Sequence, residues 1–277
     1  MTPPSTAPTP PTPPLPTAAP RREIRYLIPG PMHLTELGAK EVERREEKLR
    51  EWALPDTQVT VRAVDAGPAS IESMYEEYLS IPAMGGLVAA ADDEGADAAI
   101  IGCFGDPGLD GLREISDMLV VGPASASIAM ATTLGHRFGI VTVTASIVPA
   151  LRRLTWETGA LDALASIRYI ETSVIALNQD HDSALQKMLE QGRLAVEHDG
   201  ADTLVLGCMS MGFLDVAEQM TAELGVPVIN PSRAALHMAE ATVALGLTHS
   251  RKAFMTPPKM SAGTGLAGMY LEPGAES

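Results

Sequence analysis

Short apolar segments alternate with longer amphipathic or charged segments along most of the chain. "EIRYLIPG" from Glu23 and "DAAIIGC" from Asp97 are apolar runs, and "TQVTVRAVD" alternates apolar with polar positions, so all three are predicted strands. "TELGAKEVERREEKLREWA" is charged and compatible with a helix. "SIESMYEEYLSIPAMGGLVAAADDEG" is also helix-compatible, with a predicted break around Pro82 to Gly86. Strands that alternate with helices in this way predict a parallel α/β sheet.

The second half of the chain repeats this order of elements. "FGIVTV", "SIRYIETS" and "TLVLGC" are predicted strands, and "HDSALQKMLEQGRLAVEHDG" is a predicted amphipathic helix. The residues repeat as well. "EGADAAIIGC", which ends at Cys103, returns as "DGADTLVLGC", which ends at Cys208, and "PASASIAMA" from Pro123 corresponds to "PSRAALHMA" from Pro231. We therefore expect two similar α/β domains with parallel sheets, related by a pseudo-twofold axis.

The repeat also predicts where the two domains join. The helix after Gly122 leaves the first domain, and by symmetry the helix after Asn230 returns to it. The predicted division is a disordered Pro/Thr-rich tail at 1–22, a first α/β domain at 23–122 plus 233–277, and a second α/β domain at 123–232.

Composition and charge narrow the range of functions. The 277 residues carry a formal net charge of −15, which argues against nucleic acid or an anionic membrane as a partner. The first twenty residues hold nine of the 22 prolines and lack both a basic leader and an apolar stretch. They are therefore expected to be disordered and not a secretory signal. Two cysteines without an export signal predict a reducing cytoplasm.

Each of the two cysteines closes a predicted buried strand, where open α/β sheets place their ligand crevices. Asp106 is a predicted N-cap of the next helix, with Pro107 at the first helical position, and Ser210 is the corresponding cap in the second copy. A cleft between two such domains would place the thiols on opposite sides of one small molecule. A thiolate on one side and a thiol on the other can invert a stereocentre without a metal or another cofactor.

Other roles for the cysteines stay open at this point. A free cysteine is often a small apolar core residue, and two cysteines can form a disulfide. Zinc needs three or four ligands, and the histidines show no supporting spacing; "DHD" from Asp180 lies at the start of a polar helix, where capping is expected. The sequence contains no P-loop, dinucleotide-binding or nucleophile-elbow motif. We expect no cofactor and no metal.

Several segments together resemble the aspartate/glutamate/hydantoin racemase superfamily, and within it the hydantoin and allantoin racemases. They are "GPASIESMYEEYLSIPAM", "GADAAIIGCFGDPGLDGLREI", "RFGIVTVT", "ADTLVLGCMSMGFLDVAEQMTAELGVPVIN" and "ALGLTHSRKAFMTPPKM". The resemblance covers nearly everything after the tail. It implies two Rossmann-like domains with the active site in the cleft between them, and a homo-oligomer. It also implies cofactor-independent racemisation with Cys103 and Cys208 as the paired acid and base.

The resemblance also suggests which residues contact the substrate. They are Pro29, Gly30, Phe104, Gly105, Ser125, Thr142, Thr144, Met209 and Ser210. Three places depart from the hydantoin racemase pattern. Pro29-Gly30-Pro31 replaces Asn-Pro-Asn, and Met209-Ser210 replaces Ala-Gly. Ser125 is the residue nearest the position where those racemases often carry a glutamate. Phe104-Gly105 replaces the Asn-Thr of the amino-acid racemases, which favours a neutral ring over a free amino acid. The departures predict a less polar or differently shaped ligand.

The leading hypothesis is a cytoplasmic, cofactor-independent racemase that inverts C5 of 5-substituted hydantoins or of a related cyclic ureide. Two alternatives remain open from the sequence. One is a racemase or isomerase of a small carboxylic or amino acid such as aspartate or glutamate. The other is a two-domain sensor that closes on a metabolite. In each case the expected partner is a small molecule.

Overall fold

The computed structural model describes residues 22–177, 179–260 and 265–269, which form two four-stranded parallel sheets. The first sheet contains β1 (Arg22–Ile28), β2 (Thr57–Ala63), β3 (Ala98–Ile101) and β4 (Leu119–Val121). The second sheet contains β5 (Phe138–Thr142), β6 (Leu164–Tyr169), β7 (Thr203–Leu206) and β8 (Val228–Ile229). The strand orders, β2-β1-β3-β4 and β6-β5-β7-β8, correspond element by element. The predicted α/β class with a repeated parallel sheet is confirmed.

The predicted tail lies outside the described residues except for Arg22. That residue is the first of β1, where its backbone N–H donates to the Asp56 carbonyl and its guanidinium lies 2.6 Å from the Asp56 carboxylate. The first strand therefore includes Arg22, one residue before its predicted start.

Helices connect the strands and pack on both faces of the sheets. In chain order they are α1 (Glu36–Trp52), α2 (Met74–Asp93), α3 (Leu109–Glu114), α4 (Pro123–Leu134), α5 (Val148–Glu157), α6 (His181–Glu197), α7 (Met209–Phe213), α8 (Ala217–Leu224) and α9 (Pro231–Ala244). Every residue of β3 and β7 is buried, as their apolar sequences predict. Asp180 caps α6 by accepting from the Ser183 N–H, so capping is confirmed for "DHD". Within the described ranges, each helix is too short or too polar to span a bilayer.

The predicted break in the second helix is wrong, because α2 continues through Pro82. A proline inside a helix removes one backbone hydrogen bond and costs about 3 kcal/mol. Here the helical spacing places Met84, Val88 and Ala91 in one buried cluster beneath the first sheet. Burial of this face outweighs the local cost of the proline.

The two halves exchange one helix each. α4 follows β4 of the first sheet but packs on β7 and β8 of the second, whereas α9 follows β8 and packs on β1, β3 and β4 of the first. The two helices also pack against each other. One apolar cluster contains buried residues from both sheets and both helices, among them Ile100, Ile128, Val205 and Leu236. The halves therefore share a continuous core, although the domain boundaries at 122 and 232 stay a prediction.

Candidate active site

A cleft opens at the carboxyl ends of both sheets. Its wall includes Cys103, two residues after β3, and Cys208, two residues after β7. It encloses about 700 Å³ when its open mouth is included. Because the repeated halves face each other, the matching ends of their strands bring both thiols to the same cleft, at the position where parallel sheets bind ligands.

The glycine before each cysteine lets the chain turn tightly out of the sheet. The Gly102 N–H donates to the Leu27 carbonyl at 2.6 Å, and the Gly207 N–H donates to the Val141 carbonyl at 2.7 Å. A Cβ atom on Gly102 would lie 2.6 Å from that Leu27 oxygen, and one on Gly207 would lie 2.9 Å from the Thr142 Cβ. Neither position has room for a side chain. The same steric restriction therefore explains why a glycine precedes each cysteine.

Two carboxylates, those of Glu77 and Asp106, lie near Cys103. The thiol is half-buried. Burial raises its pKa to about 12; the Gly105 N–H lowers the pKa, while the second thiol, Glu77 and Asp106 raise it. Glu77 is also buried and accepts a hydrogen bond from Arg153 Nη2 at 3.1 Å. The surroundings of Cys103 therefore favour the neutral thiol.

The polar and charged groups near Cys208 favour the thiolate, unlike the carboxylates near Cys103. It is the buried N-cap residue of α7. Burial raises the pKa of its thiol, but the N–H groups of Met211 and Ser210, the Arg45 guanidinium and the Ser210 hydroxyl all lower it. The two cysteines occupy matching places in the fold and differ in the charges that face them.

The structure brings most of the predicted contact residues to this cleft. Those that line it with the two cysteines are Pro29, Gly30, Phe104, Gly105, Thr142, Met209 and Ser210. The buried Thr142 hydroxyl donates to the Gly207 carbonyl at 2.9 Å, so it also supports the turn before Cys208. Ser125 and Thr144 lie outside the lining. The Ser125 hydroxyl donates to Asp106, and the Thr144 hydroxyl lies 2.9 Å from that of Ser146.

Both predicted helix caps are wrong. Asp106 has a φ of 49° and does not cap α3, whose N-cap residue is Gly108. Its carboxylate instead accepts hydrogen bonds from the N–H groups of Ala124 and Ser125 at the start of α4, each at 2.9 Å. Ser210 lies inside α7, and Cys208 is the N-cap residue there.

Sequence reasoning missed two groups of lining residues. The first is Arg45 of α1, whose guanidinium donates to the Ser210 hydroxyl at 2.9 Å. The second is residues 68–71, a loop that forms part of the cleft wall. The next residue, Glu72, reaches the other half of the molecule: its carboxylate accepts from the Val174 N–H at 2.9 Å, and its carbonyl accepts from the Ser146 hydroxyl at 2.6 Å. These contacts join residues far apart in the chain, and no local motif marks them.

The rest of the lining is largely apolar. It includes Ile28, Met32, Val143, Ile147, Leu151 and Val174. Within the described part of the chain, Arg45 is the only charged residue in the lining. No group of three or more His, Cys, Asp or Glu residues arranged to hold a metal ion occurs in the ranges that the structure describes.

Comparison with known proteins places the chain in a family of two-domain isomerases. The family model described as Asp/Glu/Hydantoin racemase matches residues 38–239, well over half of the chain. The chain belongs to this Asp/Glu/hydantoin racemase family and is an isomerase of the racemase type. Family membership confirms the predicted resemblance and argues against the metabolite sensor.

Individual relatives are similar in sequence to this chain over most of their length. The hydantoin racemase of Pseudomonas sp. (strain NS671) is 38% identical over 215 residues, which are 77% of this chain and 86% of that protein. The hydantoin racemase of Paenarthrobacter aurescens is 40% identical over 186 residues, 67% of this chain and 78% of that protein. Among solved structures, allantoin racemase from Klebsiella pneumoniae is 33% identical, with a TM-score of 0.78, and the match covers 86% of this chain and 94% of that one.

Proposed function

We propose that the protein racemises 5-substituted hydantoins, or a related cyclic ureide, at C5 by a cofactor-independent mechanism with Cys103 and Cys208 as acid and base. The observation that carries this proposal is that a thiol from each half of the molecule lines the same cleft. The hydantoin and allantoin racemases among the relatives support this class of substrate.

The reaction needs one proton to leave C5 and another to arrive from the opposite face. A thiolate on one side of the ring removes the C5 proton, and the carbanion delocalises into the adjacent ring carbonyl as an enolate. The thiol on the other side then donates its proton to C5, which gives the mirror-image product. The atoms balance without an external donor, because the thiolate gains the proton that the substrate loses.

The buried surroundings suit a weak carbon acid. Burial raises the pKa of both thiols, which lowers the fraction of thiolate at neutral pH but makes each thiolate a stronger base. The N–H groups of Gly105, Ser210 and Met211 provide backbone donors beside the sulfurs. Such donors can stabilise negative charge that develops next to the reacting carbon.

The lining favours a neutral ring over a free amino acid. An amino acid carries an ammonium and at least one carboxylate, and burying these charges without partners is costly. Arg45 is already paired with Glu41 at 2.8 Å and with Ser210. Most of the remaining surface is apolar and fits an uncharged ring with an apolar substituent.

Hydrogen exchange at C5 tests the proposal directly. Enantiopure 5-substituted hydantoins, allantoin, aspartate and glutamate are incubated with the protein in D₂O, while NMR follows deuterium at the stereocentre and polarimetry follows optical rotation. We expect deuterium to enter hydantoin C5 as rotation is lost. Cys103→Ser and Cys208→Ser should each lower the racemisation rate by about 10²–10⁴-fold, because a hydroxyl is a much weaker acid than a thiol.

A variant on the exposed face of α4, Thr133→Ala, is the control and should keep the wild-type rate. Racemisation that survives in the double cysteine variant would remove the thiols from the mechanism. Exchange of aspartate or glutamate, but not of hydantoins, would support the amino-acid alternative.

A further inference from the structure

Arg45 is a buried cation in the cleft lining that also contains Cys208. Its side chain is 3% exposed, and its guanidinium lies over the Phe213 ring at 4.9 Å from the centroid. Nε donates to Glu41 Oε1 at 2.8 Å. The same carboxylate also accepts two hydrogen bonds from Arg44. Two guanidiniums therefore share one carboxylate, and the cluster keeps a net positive charge beside the cleft.

Ser210 contacts this cation and lies two residues after Cys208 in the same cleft lining. Arg45 Nη2 donates to the Ser210 hydroxyl oxygen at 2.9 Å. Because that oxygen accepts from the arginine, its own proton is free for another acceptor, and the hydroxyl lowers the pKa of Cys208. Ser210 is 4% exposed, so the contact with Arg45 is shielded from water. Charge–charge interactions are stronger in such a buried place than in water.

The charged groups that face Cys103 are of the opposite sign. A Cβ atom on Gly105 would lie 3.6 Å from Glu77 Oε2 and 3.8 Å from Cys103 Sγ, so the carboxylate and the sulfur flank the same glycine. Asp106 is the second carboxylate beside this thiol. Each has a cationic neighbour, Arg153 for Glu77 and Arg113 for Asp106.

We infer that Arg45 is a positioning residue that, through Ser210, makes Cys208 the more acidic thiol of the pair, so that Cys208 ionises first and Cys103 stays the thiol. The inference deepens the proposed function and rests on it. The singly ionised enzyme then accepts the enantiomer whose C5–H faces Cys208. After one turnover the C5 proton is on Cys208 and Cys103 is the thiolate, and proton exchange with water returns the negative charge to Cys208.

The pH dependence of thiol alkylation tests this assignment without using activity. Iodoacetamide reacts with the thiolate, and the alkylation rate of each cysteine is followed by mass spectrometry from pH 6 to pH 10. The two cysteines fall in different tryptic peptides, because Arg113 and Arg193 lie between them. We expect the Cys208 rate to level off first, at a pH where the Cys103 rate is still rising, because the pKa of Cys103 is raised to about 12. The midpoint of each curve of rate against pH is compared, because accessibility changes the height of the curve and not its midpoint.

Variants separate the cation from its neighbours. Arg45→Met should raise the Cys208 midpoint by about one pH unit, and Arg45→Lys should restore part of that shift, because an opposite charge favours the thiolate. Ser210→Ala should shift the midpoint in the same direction while the Arg45–Glu41 pair is kept. Arg44→Met is the matched control: this arginine shares Glu41 but donates to the Phe213 carbonyl, so the Cys208 midpoint should not move.

Each outcome supports or overturns the inference. Equal midpoints, or a Cys103 rate that levels off first, would overturn it, as would a Cys208 midpoint unmoved in both Arg45→Met and Ser210→Ala. If Arg45→Met does not fold, Ser210→Ala decides alone. Racemisation with equal midpoints would overturn only this inference. Unequal midpoints without any C5 exchange would overturn the proposed function.

Discussion

The Gly-Cys pairs show how single residues place the two thiols at the cleft. Both glycines lie against the backbone or Cβ of a neighbouring strand, and each cysteine follows at the point where its strand leaves the sheet. The sequence repeat was enough to identify these cysteines. It could not identify Arg45, because that residue comes from α1 and meets Ser210 across 165 positions of sequence. The charged sequence of α1 is typical of a surface helix and does not mark Arg45.

Gly102→Ala should destabilise the fold. The added methyl would lie 2.6 Å from the Leu27 carbonyl oxygen, a backbone atom fixed in the sheet. We expect a loss of about 1–3 kcal/mol in the free energy of unfolding, measured in urea. Gly86→Ala in α2 is the matched control, because nothing lies within 4 Å of its new methyl. It should gain about 0.5–1 kcal/mol, and equal effects of the two substitutions would contradict the steric explanation.

At the scale of elements, most strands and helices follow from apolar periodicity, and the exceptions have tertiary causes. α2 continues through Pro82 because its buried face packs beneath the first sheet, a contact that local propensity does not contain. Asp106 caps α4 and not α3 because the loop after Cys103 folds back toward the next helix. Sequence spacing identifies a capping residue but not which of two nearby helices it caps.

The stability supplied by Asp106 should depend on pH. Burial raises its pKa to about 6, against the hydrogen bonds that Ser125 and Ala124 donate to the carboxylate. A folded-state pKa above the unfolded value means that this contribution is complete below pH 4 and is lost as pH rises through about 6. Relative to Asp106→Asn, the free energy of unfolding of the wild-type protein should fall by on the order of 3 kcal/mol between pH 4 and pH 7. Urea unfolding at both pH values measures the difference.

Asparagine suits this test because it tolerates the φ of 49° at position 106. Ser125→Ala is the control: it removes one hydroxyl donor but leaves the carboxyl, so most of the pH dependence should remain. A wild-type to Asp106→Asn difference that is the same at pH 4 and pH 7 would show that the carboxyl does not titrate in this way.

At the scale of the molecule, the repeat predicted the two sheets, and the structure adds the contacts that cross the cleft. Glu72 reaches Val174 and Ser146, and Glu77 pairs with Arg153 of α5. None of these pairs has a counterpart in the repeated motifs, since each joins a loop or helix of one half to a different element of the other. Their partners could not be read from the sequence.

Glu72→Ala should loosen the contacts between the two halves beside the cleft. The substitution removes the acceptor for the Val174 N–H, a hydrogen bond to a charged group in a half-buried place. We expect deuterium to enter the Val174 amide about tenfold faster, with KM for hydantoin raised more than kcat is lowered. Hydrogen-exchange mass spectrometry and steady-state kinetics measure the two effects. Glu36→Ala, which removes an exposed ion pair with Lys40, is the control; equal exchange rates in both variants would contradict the role of Glu72.

The exchange of α4 and α9 has a consequence for how the protein loses its structure. Each sheet is covered by a helix that the other half supplies, so opening one half strips apolar surface from its neighbour. Heating must therefore melt both halves in one cooperative transition. The cleft cannot persist on one surviving half, because the wall that carries either sulfur depends on a helix from the opposite side of the molecule.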